Sequence, residues 1–317
     1  MRVFVTGGAG FIGSNLAERL LDDGHEVTAH DNLSLGRREN LRACTAREGF
    51  RFIQGDLLDR EATASHLRGH DVVFHMAANS DIEAGGRETD TDLRQGTLAT
   101  YNVLEGMRLA DLRQVVFAST SAVYGEAATV PTPEDHGPLF PISFYGASKL
   151  ACEGLLSAFE HNYGIQAWIF RFANIVGDHG THGAVVDFLR KLRQDPSVLT
   201  ILGDGRQAKP YLYVKECVDG MIFGWRNAVG PVNCFNLTCP GATAATRIAE
   251  IVAEELGLGP VPHRFTGGSR GWKGDVPQVR LDPSRLAGLG WSAQLDSDAA
   301  VRAAARALRH EAESARG

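Results

Sequence analysis

The chain has 317 residues, 44% of them hydrophobic and 22% charged, and a formal net charge of −6. That is ordinary globular composition, with enough chain for one large or two modest domains. No Lys/Arg run stands out, which argues against nucleic acid or anionic membrane as partners, and no apolar stretch approaches the roughly 20 residues of a membrane-spanning helix.

In chain order, residues 3–6 read as a short apolar strand, entered directly from Met1 without the flanks of a signal peptide. Residues 14–23 have helical periodicity, and strands are expected at 26–31, 50–55 and 71–76. A helix over 97–109, a strand over 114–119, a helix over 149–163 and a strand over 166–171 follow. Strand and helix alternate, and Val72-Val73-Phe74 and Val115-Val116-Phe117 are apolar on both faces. This predicts an α/β fold, a doubly wound parallel sheet covered on both sides. After about residue 172 the pattern breaks into shorter elements punctuated by Gly203-Asp204-Gly205, Pro231, Pro240-Gly241 and Gly267-Gly268. A smaller, loop-rich C-terminal lobe is expected there, closed by a helix over 297–315. Five cysteines, odd in number and without a Cys-x-x-Cys pair, read as reduced thiols of a cytosolic protein. The histidines show no metal-ligand spacing, so no metal site is expected.

Gly7-Gly8-Ala9-Gly10-Phe11-Ile12-Gly13 stands between the first strand and the first helix. A dinucleotide's pyrophosphate needs glycine there for the tight turn, for close backbone approach and for helix-on-strand packing, with free helix N–H groups facing the phosphates. Asp31 ends the second strand about 20 residues on, where a carboxylate accepts from the adenosine ribose hydroxyls and repels a 2′-phosphate. This favours NAD over NADP, although Arg37 and Arg38 stand nearby. Asp56-Leu57 after the third strand and Ala77-Ala78 after the fourth fall at strand ends where ligands of open α/β sheets bind. Either pair could equally be loop punctuation.

Tyr145-Gly-Ala-Ser-Lys149 places a phenol and an ammonium four residues apart on one helix face. A free phenol, with a pKa of about 10, is a poor base at neutral pH, and a lysine one turn away favours phenolate. Ser119-Thr120-Ser121 closes the fifth strand at the same sheet edge, so hydroxyl, phenol and lysine beside a nicotinamide make a site for oxidising or reducing a carbinol.

With these motifs the chain resembles the extended short-chain dehydrogenase/reductases, and among them the bacterial and archaeal UDP-glucose (UDP-galactose) 4-epimerases. The resemblance also rests on Asp31-Asn32-Leu33-Ser34, His75-Met76-Ala77-Ala78 and Ser121-Ala122-Val123-Tyr124-Gly125. It continues through Arg171-Phe172-Ala173-Asn174-Ile175-Val176-Gly177, Tyr211-Leu212-Tyr213-Val214 and Gly271-Trp272-Lys273-Gly274-Asp275-Val276. It implies a Rossmann-type NAD-binding domain over 1–172, with returns from the second half, and a nucleotide-sugar lobe over 173–317. It implies Tyr145 as base, Lys149 as the residue that holds the nicotinamide ribose and lowers the tyrosine's pKa, and Thr120 as partner of the reacting hydroxyl. For the cofactor it implies Gly7, Gly10, Phe11, Ile12, Gly13, Asp31, Asn32, Ser34, Gly36, Asp56, Leu57, Ala77, Ala78 and Ser119, besides Tyr145 and Lys149. For a UDP-sugar it implies Asn79, Thr120, Ser121, Tyr145, Asn174, Val185, Lys209, Arg270 and Asp275. Lys209 and Arg270 suit a diphosphate by charge, although a solvated surface role would explain them too.

Three departures bear on the sugar. Gly96 stands where the family usually has an asparagine. Asp178-His179 follow Val176-Gly177 where relatives commonly read Pro-Arg. Gln207-Ala208-Lys209-Pro210 carries an alanine and a proline where close relatives often have arginine and serine. UDP-glucose/UDP-galactose stays the first expectation, with UDP-glucuronate and UDP-N-acetylhexosamines behind it. A nucleotide-sugar dehydratase would need an acid/base pair beside Thr120, where Ser121-Ala122 stand instead. Apolar residues on more than one face of the helices at 97–109 and 145–163 predict a homodimer.

Overall fold

The computed structural model describes residues 1–268, 270, 276 and 278–314. Thirteen strands are found among these residues: β1 Arg2–Thr6, β2 Glu26–Asp31, β3 Phe50–Gln54, β4 Val72–His75, β5 Gln114–Thr120, β6 Gln166–Phe172, β7 Asn174–Val176, β8 Leu199–Ile201, β9 Ala208–Lys209, β10 Tyr211–Tyr213, β11 Val232–Leu237, β12 Thr243–Ala244 and β13 His263–Phe265. The helices are α1 Phe11–Asp22, α2 Arg42–Thr45, α3 Arg60–Leu67, α4 Ile82–Arg87, α5 Ala99–Leu109, α6 Phe144–Tyr163, α7 Ala184–Gln194, α8 Val214–Asn227, α9 Ala245–Glu255, α10 Ser284–Gly288 and α11 Ser297–Ser314. The chain divides into two compact units. One comprises Met1–Glu126, Glu134–Arg171 and Met221–Phe235; the other comprises Ala127–Pro133, Phe172–Gly220 and the described residues from Asn236 onward.

The first unit is built on a seven-stranded sheet ordered β11-β6-β5-β4-β1-β2-β3. From β3 through β5 the neighbours pair in parallel, with Val5 opposite Ala29 on one side and Phe74 on the other. The chain runs outward from β1 to β3, then restarts at β4 on the other side of β1. This reversal makes the β1/β4 edge the switch point where α/β sheets take their ligands. Val3, Val5, Phe74, Val116 and Phe170 are completely or almost completely buried, as are Phe4, Val73, Val115 and Phe117, which accounts for the unbroken apolar runs. Leu104 and Met107 of α5 and Leu156 of α6 pack with Phe4, Phe117 and Ile169 in one core. Full burial of such side chains contributes about 1.5–3 kcal/mol each.

The expected strands are present with bounds shifted by at most a residue. The helices depart more. α1 starts at Phe11, three residues earlier than its apolar periodicity indicated, because the glycine turn runs straight into it. The expected 97–109 helix is entered through a wide π turn over Leu93–Leu98. α6 starts at Phe144, where the Ser143 hydroxyl caps Gly146 N–H at 3.1 Å, and ends at Gly164 in the left-handed conformation.

In the second unit α7, α9 and α11 share a core of Val185, Phe188, Leu192, Ile248, Val252, Val301 and Ala304. Three two-stranded pairs, β7 with β10, β8 with β13 and β9 with β12, accompany it. Helices α7, α8 and α9 lie where only shorter elements were expected, and β11 returns to the first unit's sheet. All five cysteines are free thiols. No described helix is long and apolar enough to cross a membrane.

Two buried histidines make this core acid-sensitive. His75 bonds Thr6 Oγ1 at 2.6 Å and Thr100 Oγ1 at 2.9 Å, and burial, with nearby Lys149 adding to it, pushes it down to about 3. Burial likewise pushes His30 down to about 4. Both are neutral in the fold, so the unfolded chain binds protons first as pH falls below about 6.5. Stability is therefore full above that pH and is lost toward pH 4, at up to ~1.4 kcal/mol per pH unit for each histidine. Urea unfolding at pH 7, 6 and 5 should show this decline; constant stability across that range would contradict neutral burial.

Candidate active site

Bare backbone forms the floor at the end of β1. Gly7 has a φ of 64°, and a Cβ there would lie 2.8 Å from the Ala77 backbone. A Cβ on Gly13 would lie 2.1 Å from the Gly7 carbonyl oxygen, so neither position accepts a side chain without movement. Thr6 Oγ1 accepts from Ala77 N–H at 3.2 Å and fixes the β1 and β4 ends together. α1 follows Gly10, which offers no side-chain cap, so its half-buried first residues, Phe11 and Ile12, form an uncapped helix N-terminus. Such a cradle fits a pyrophosphate.

Asp31 is buried at the end of β2 and accepts from Ala9 N–H at 3.1 Å and Leu33 N–H at 2.7 Å. Burial raises its carboxyl above the usual range, with these two bonds opposing. Gly36 lies directly over it: a Cβ there would be 2.7 Å from both carboxylate oxygens. Arg38 is turned to Gln54 Oε1 at 2.8 Å and to the Phe52 ring, and Arg37 is exposed. Among the described residues no cation is bonded to this carboxylate, which suits the ribose hydroxyls of NAD. Asn32 bonds Asp56 at 3.3 Å and caps Ser34 N–H at 3.0 Å, tying the loops after β2 and β3. The Leu57 side chain lies in the core and its carbonyl accepts from Asn102, while Ala78 is half-buried.

Three consecutive residues of β5 hold one face of α6. The Ala118 carbonyl accepts from Lys149 Nζ at 2.6 Å, Ser119 Oγ donates to Glu153 at 2.5 Å, and Thr120 hydrogen-bonds Tyr145. Tyr145, Lys149 and Glu153 are spaced by four, so they stack on one face. Thr120 also accepts from Ala122 N–H at 3.1 Å, which starts the short turn carrying half-buried Ser121. Burial pushes the Lys149 ammonium down to about 8. The phenol is not lowered in this structure as the sequence-based reading of Lys149 expected, because burial outweighs it. Burial, with the Asp92 carboxylate adding to it, pushes Tyr145 up to about 12, and Lys149 Nζ lies 6.0 Å from the ring centroid with one of its three N–H groups given to Ala118.

Beside this face stands a cluster that sequence reasoning missed. Asp92 is buried; its Oδ1 accepts from Asn79 at 3.1 Å and its carbonyl accepts from Ser148 Oγ at 2.7 Å. The Asn79 amide also serves Asp81, so this side chain, implied for the substrate, is spent within the protein. Ser119, implied for the cofactor, likewise turns its hydroxyl inward to Glu153. A Cβ at Gly96 would lie 2.1 Å from Ser148 Oγ, so an asparagine there requires Ser148 to turn away.

Among the residues of the second unit, Asn174 is half-buried in β7 and Lys209 is half-buried in β9. Val185, implied for the substrate, puts its side chain into the α7/α9/α11 core. Arg270 is exposed, and its carbonyl packs on Gly203. Asp275 and the motif residues 271–274 before it lie outside the described residues. Asp178 accepts from Tyr213 OH at 2.6 Å and pairs with Lys215 at 3.8 Å, while His179 takes a φ of 65° and donates its N–H to Glu311.

A glycine cradle that fits a pyrophosphate, and a hydroxyl, a phenol and an ammonium held together at the end of β5, are the groups that nicotinamide-dependent chemistry on a carbinol would need. Comparison with known proteins agrees. The model of the NAD dependent epimerase/dehydratase family matches residues 3–237, and the chain belongs to that family. UDP-glucose 4-epimerase of Mycolicibacterium smegmatis is 33% identical over 302 residues, covering 93% of this chain and 94% of that protein. A crystal structure of UDP-galactose 4-epimerase superposes with a TM-score of 0.88 at 38% identity, covering 98% of this chain and 99% of the other. The UDP-glucuronic acid 4-epimerase of Bacillus cereus, solved with UDP-glucuronic acid and NAD, superposes at 0.89 and 25% identity, covering 98% and 100%.

Gly36→Ala tests the Asp31 assignment. The new methyl should displace the carboxylate and weaken NAD binding by roughly 10- to 150-fold by calorimetry while the fold is kept, since one charge-assisted bond contributes roughly 1.5–3 kcal/mol. Unaltered NAD affinity would remove Asp31 from the cofactor site.

Proposed function

We propose that this chain is a UDP-hexose 4-epimerase that interconverts UDP-glucose and UDP-galactose. The observation that carries the reading is the strand end of β5 against α6, which brings Thr120, Tyr145 and Lys149 together with no acid/base pair beside Thr120. NAD, when bound, supplies an acceptor that takes hydride from the sugar C4 and returns it. Thr120 orients the C4 hydroxyl. Tyr145 removes the hydroxyl proton at its phenolic oxygen and gives it back when the sugar presents its other face, so no proton is gained or lost overall. Lys149, cationic below about pH 8, holds the nicotinamide ribose and adds the positive charge that draws the phenol down.

Asn174, Lys209 and Arg270 are proposed to serve the diphosphate and sugar, where cations match two negative charges. UDP-glucuronate is the second reading. A family neighbour binds it, and in this chain Asp178 and His179 stand where relatives of the first kind commonly have Pro-Arg. We propose a homodimer in the cytoplasm. Leu98, Leu109 and Tyr163 are exposed on α5, α6 and the turn before α5, whereas Leu104 and Phe159 of the same helices belong to the core. The free thiols suit a reducing compartment.

Tyr145→Phe should lower kcat by ~10²–10⁴ with NAD still bound, as loss of a general base does. Turnover near wild type in a folded variant would reject the mechanism. Incubation with UDP-glucose, UDP-galactose, UDP-glucuronate and UDP-N-acetylglucosamine, with products identified by NMR, decides the sugar. The first pair should react fastest, and conversion of UDP-glucuronate alone would replace it with the second reading.

A further inference from the structure

Behind the site lies an ion pair that the chemistry above does not use. Arg171 on β6 grips Glu153 on α6 through Nε at 3.0 Å and Nη2 at 2.7 Å, and both side chains are more than nine-tenths buried. The remaining guanidinium nitrogen donates to Tyr124 OH and to the Glu134 carbonyl, each at 3.0 Å, and the group stacks on the Tyr124 ring. Glu153 Oε1 also takes the Ser119 hydroxyl at 2.5 Å. One carboxylate thus joins β5, α6 and β6, immediately beside Thr120 in the strand and one turn after Lys149 in the helix. Burial works against the Arg171 charge, and the bidentate carboxylate overcomes it, so the guanidinium is held above its ordinary value.

We propose that Glu153 and Arg171 form a positioning pair for the Tyr145–Lys149 site, in which the carboxylate fixes β5 against α6 and the guanidinium offsets its charge one turn from the lysine. The reason is electrostatic. An isolated Glu153 carboxylate beside Lys149 would hold the ammonium protonated and bound to its own anion. Paired with Arg171, it supplies geometry while the guanidinium offsets the pull that its charge still exerts on Lys149. The other groups facing Lys149 are few. Tyr145 and Cys152 lie on its own helix, Asp92 lies before the π turn, His75 is neutral on β4, and the Phe117 ring lies 4.6 Å from Nζ on β5. Arg171 and Glu153 touch no substrate or cofactor in this account; they act through Lys149 and Ser119.

The inference rests on the proposed roles of Tyr145 and Lys149, and its test has a readout apart from turnover. Lys149 is one of five lysines in the chain, so its ¹³Cε resonance is assignable in the NAD-bound protein by comparison with Lys149→Met. Arg171→Met uncovers the carboxylate and should raise the Lys149 pKa by about one unit, while Glu153→Gln uncovers the guanidinium and should lower it by about one. Shifts of opposite sign support the pair; no shift, or shifts of one sign, would overturn it, since a merely structural role gives neither pattern. Should either variant fail to fold, Arg171→Lys decides. It keeps the charge and loses the bidentate grip, so the Lys149 pKa should hold within ~0.3 unit while kcat falls about tenfold at unchanged KM. Unchanged kcat in that variant would overturn the positioning role. Wild-type protein that turns over no UDP-sugar would count against the proposed function, whereas the Lys149 titrations would still test the pair.

Discussion

The site depends on the junction between the C-terminal end of β5 and one face of α6. Ala118, Ser119 and Thr120 each take one residue of a four-spaced series, Lys149, Glu153 and Tyr145. Strand and helix repeats rarely match over such a span. They do so here because the carbonyl of Ala118 serves one partner and the hydroxyls of its two successors serve the others. The helix cannot slide or turn along the strand without breaking all three contacts.

Electrostatic cost concentrates in the same place. Lys149, Glu153 and Arg171 are charged groups buried in one small region, and the phenol beside them is held in its neutral form by burial and by Asp92. Removing one member of a buried pair leaves an uncompensated charge and commonly costs about 3–5 kcal/mol. The arrangement is therefore not the cheapest way to join two strands to a helix, and its retention is understandable where the charges also set a proton's position. Burial and the Asp92 carboxylate both work against the phenolate, so the fold itself favours the protonated phenol.

Much of this was legible in the sequence, for identifiable reasons. Parallel strands buried on both faces appear as continuous apolar runs, so the sheet of the first unit could be read from Val72-Val73-Phe74 and its like. The glycine turn and Asp31 are local signals whose spacing is set by one strand–turn–helix–strand unit. Tyr145 and Lys149 were visible because helical spacing placed them on one face. Glu153 continues that series and could have been found by extending it one turn. Arg171 and Asp92 could not, since their partners lie 18 residues away for Glu153 and 13 for Asn79, contacts that only the folded chain creates. The shift of Tyr145 was misjudged because sequence spacing reveals a neighbouring cation and says nothing of burial. Helices α7, α8 and α9 were missed because glycines and prolines between them masked their periodicity. Val185 was implied for the sugar by resemblance, yet its place on the inner face of α7 makes it core.

The central claim is that this junction oxidises a sugar carbinol transiently and returns the same hydrogen to the same carbon. UDP-galactose deuterated at C4, incubated in ordinary water with the NAD-bound protein, tests it most directly when the product is read by NMR and absorbance is followed near 340 nm. The account predicts UDP-glucose with deuterium retained at C4 and no accumulating NADH. Loss of the label to solvent, steady accumulation of NADH, or a product deoxygenated at C6 would contradict it.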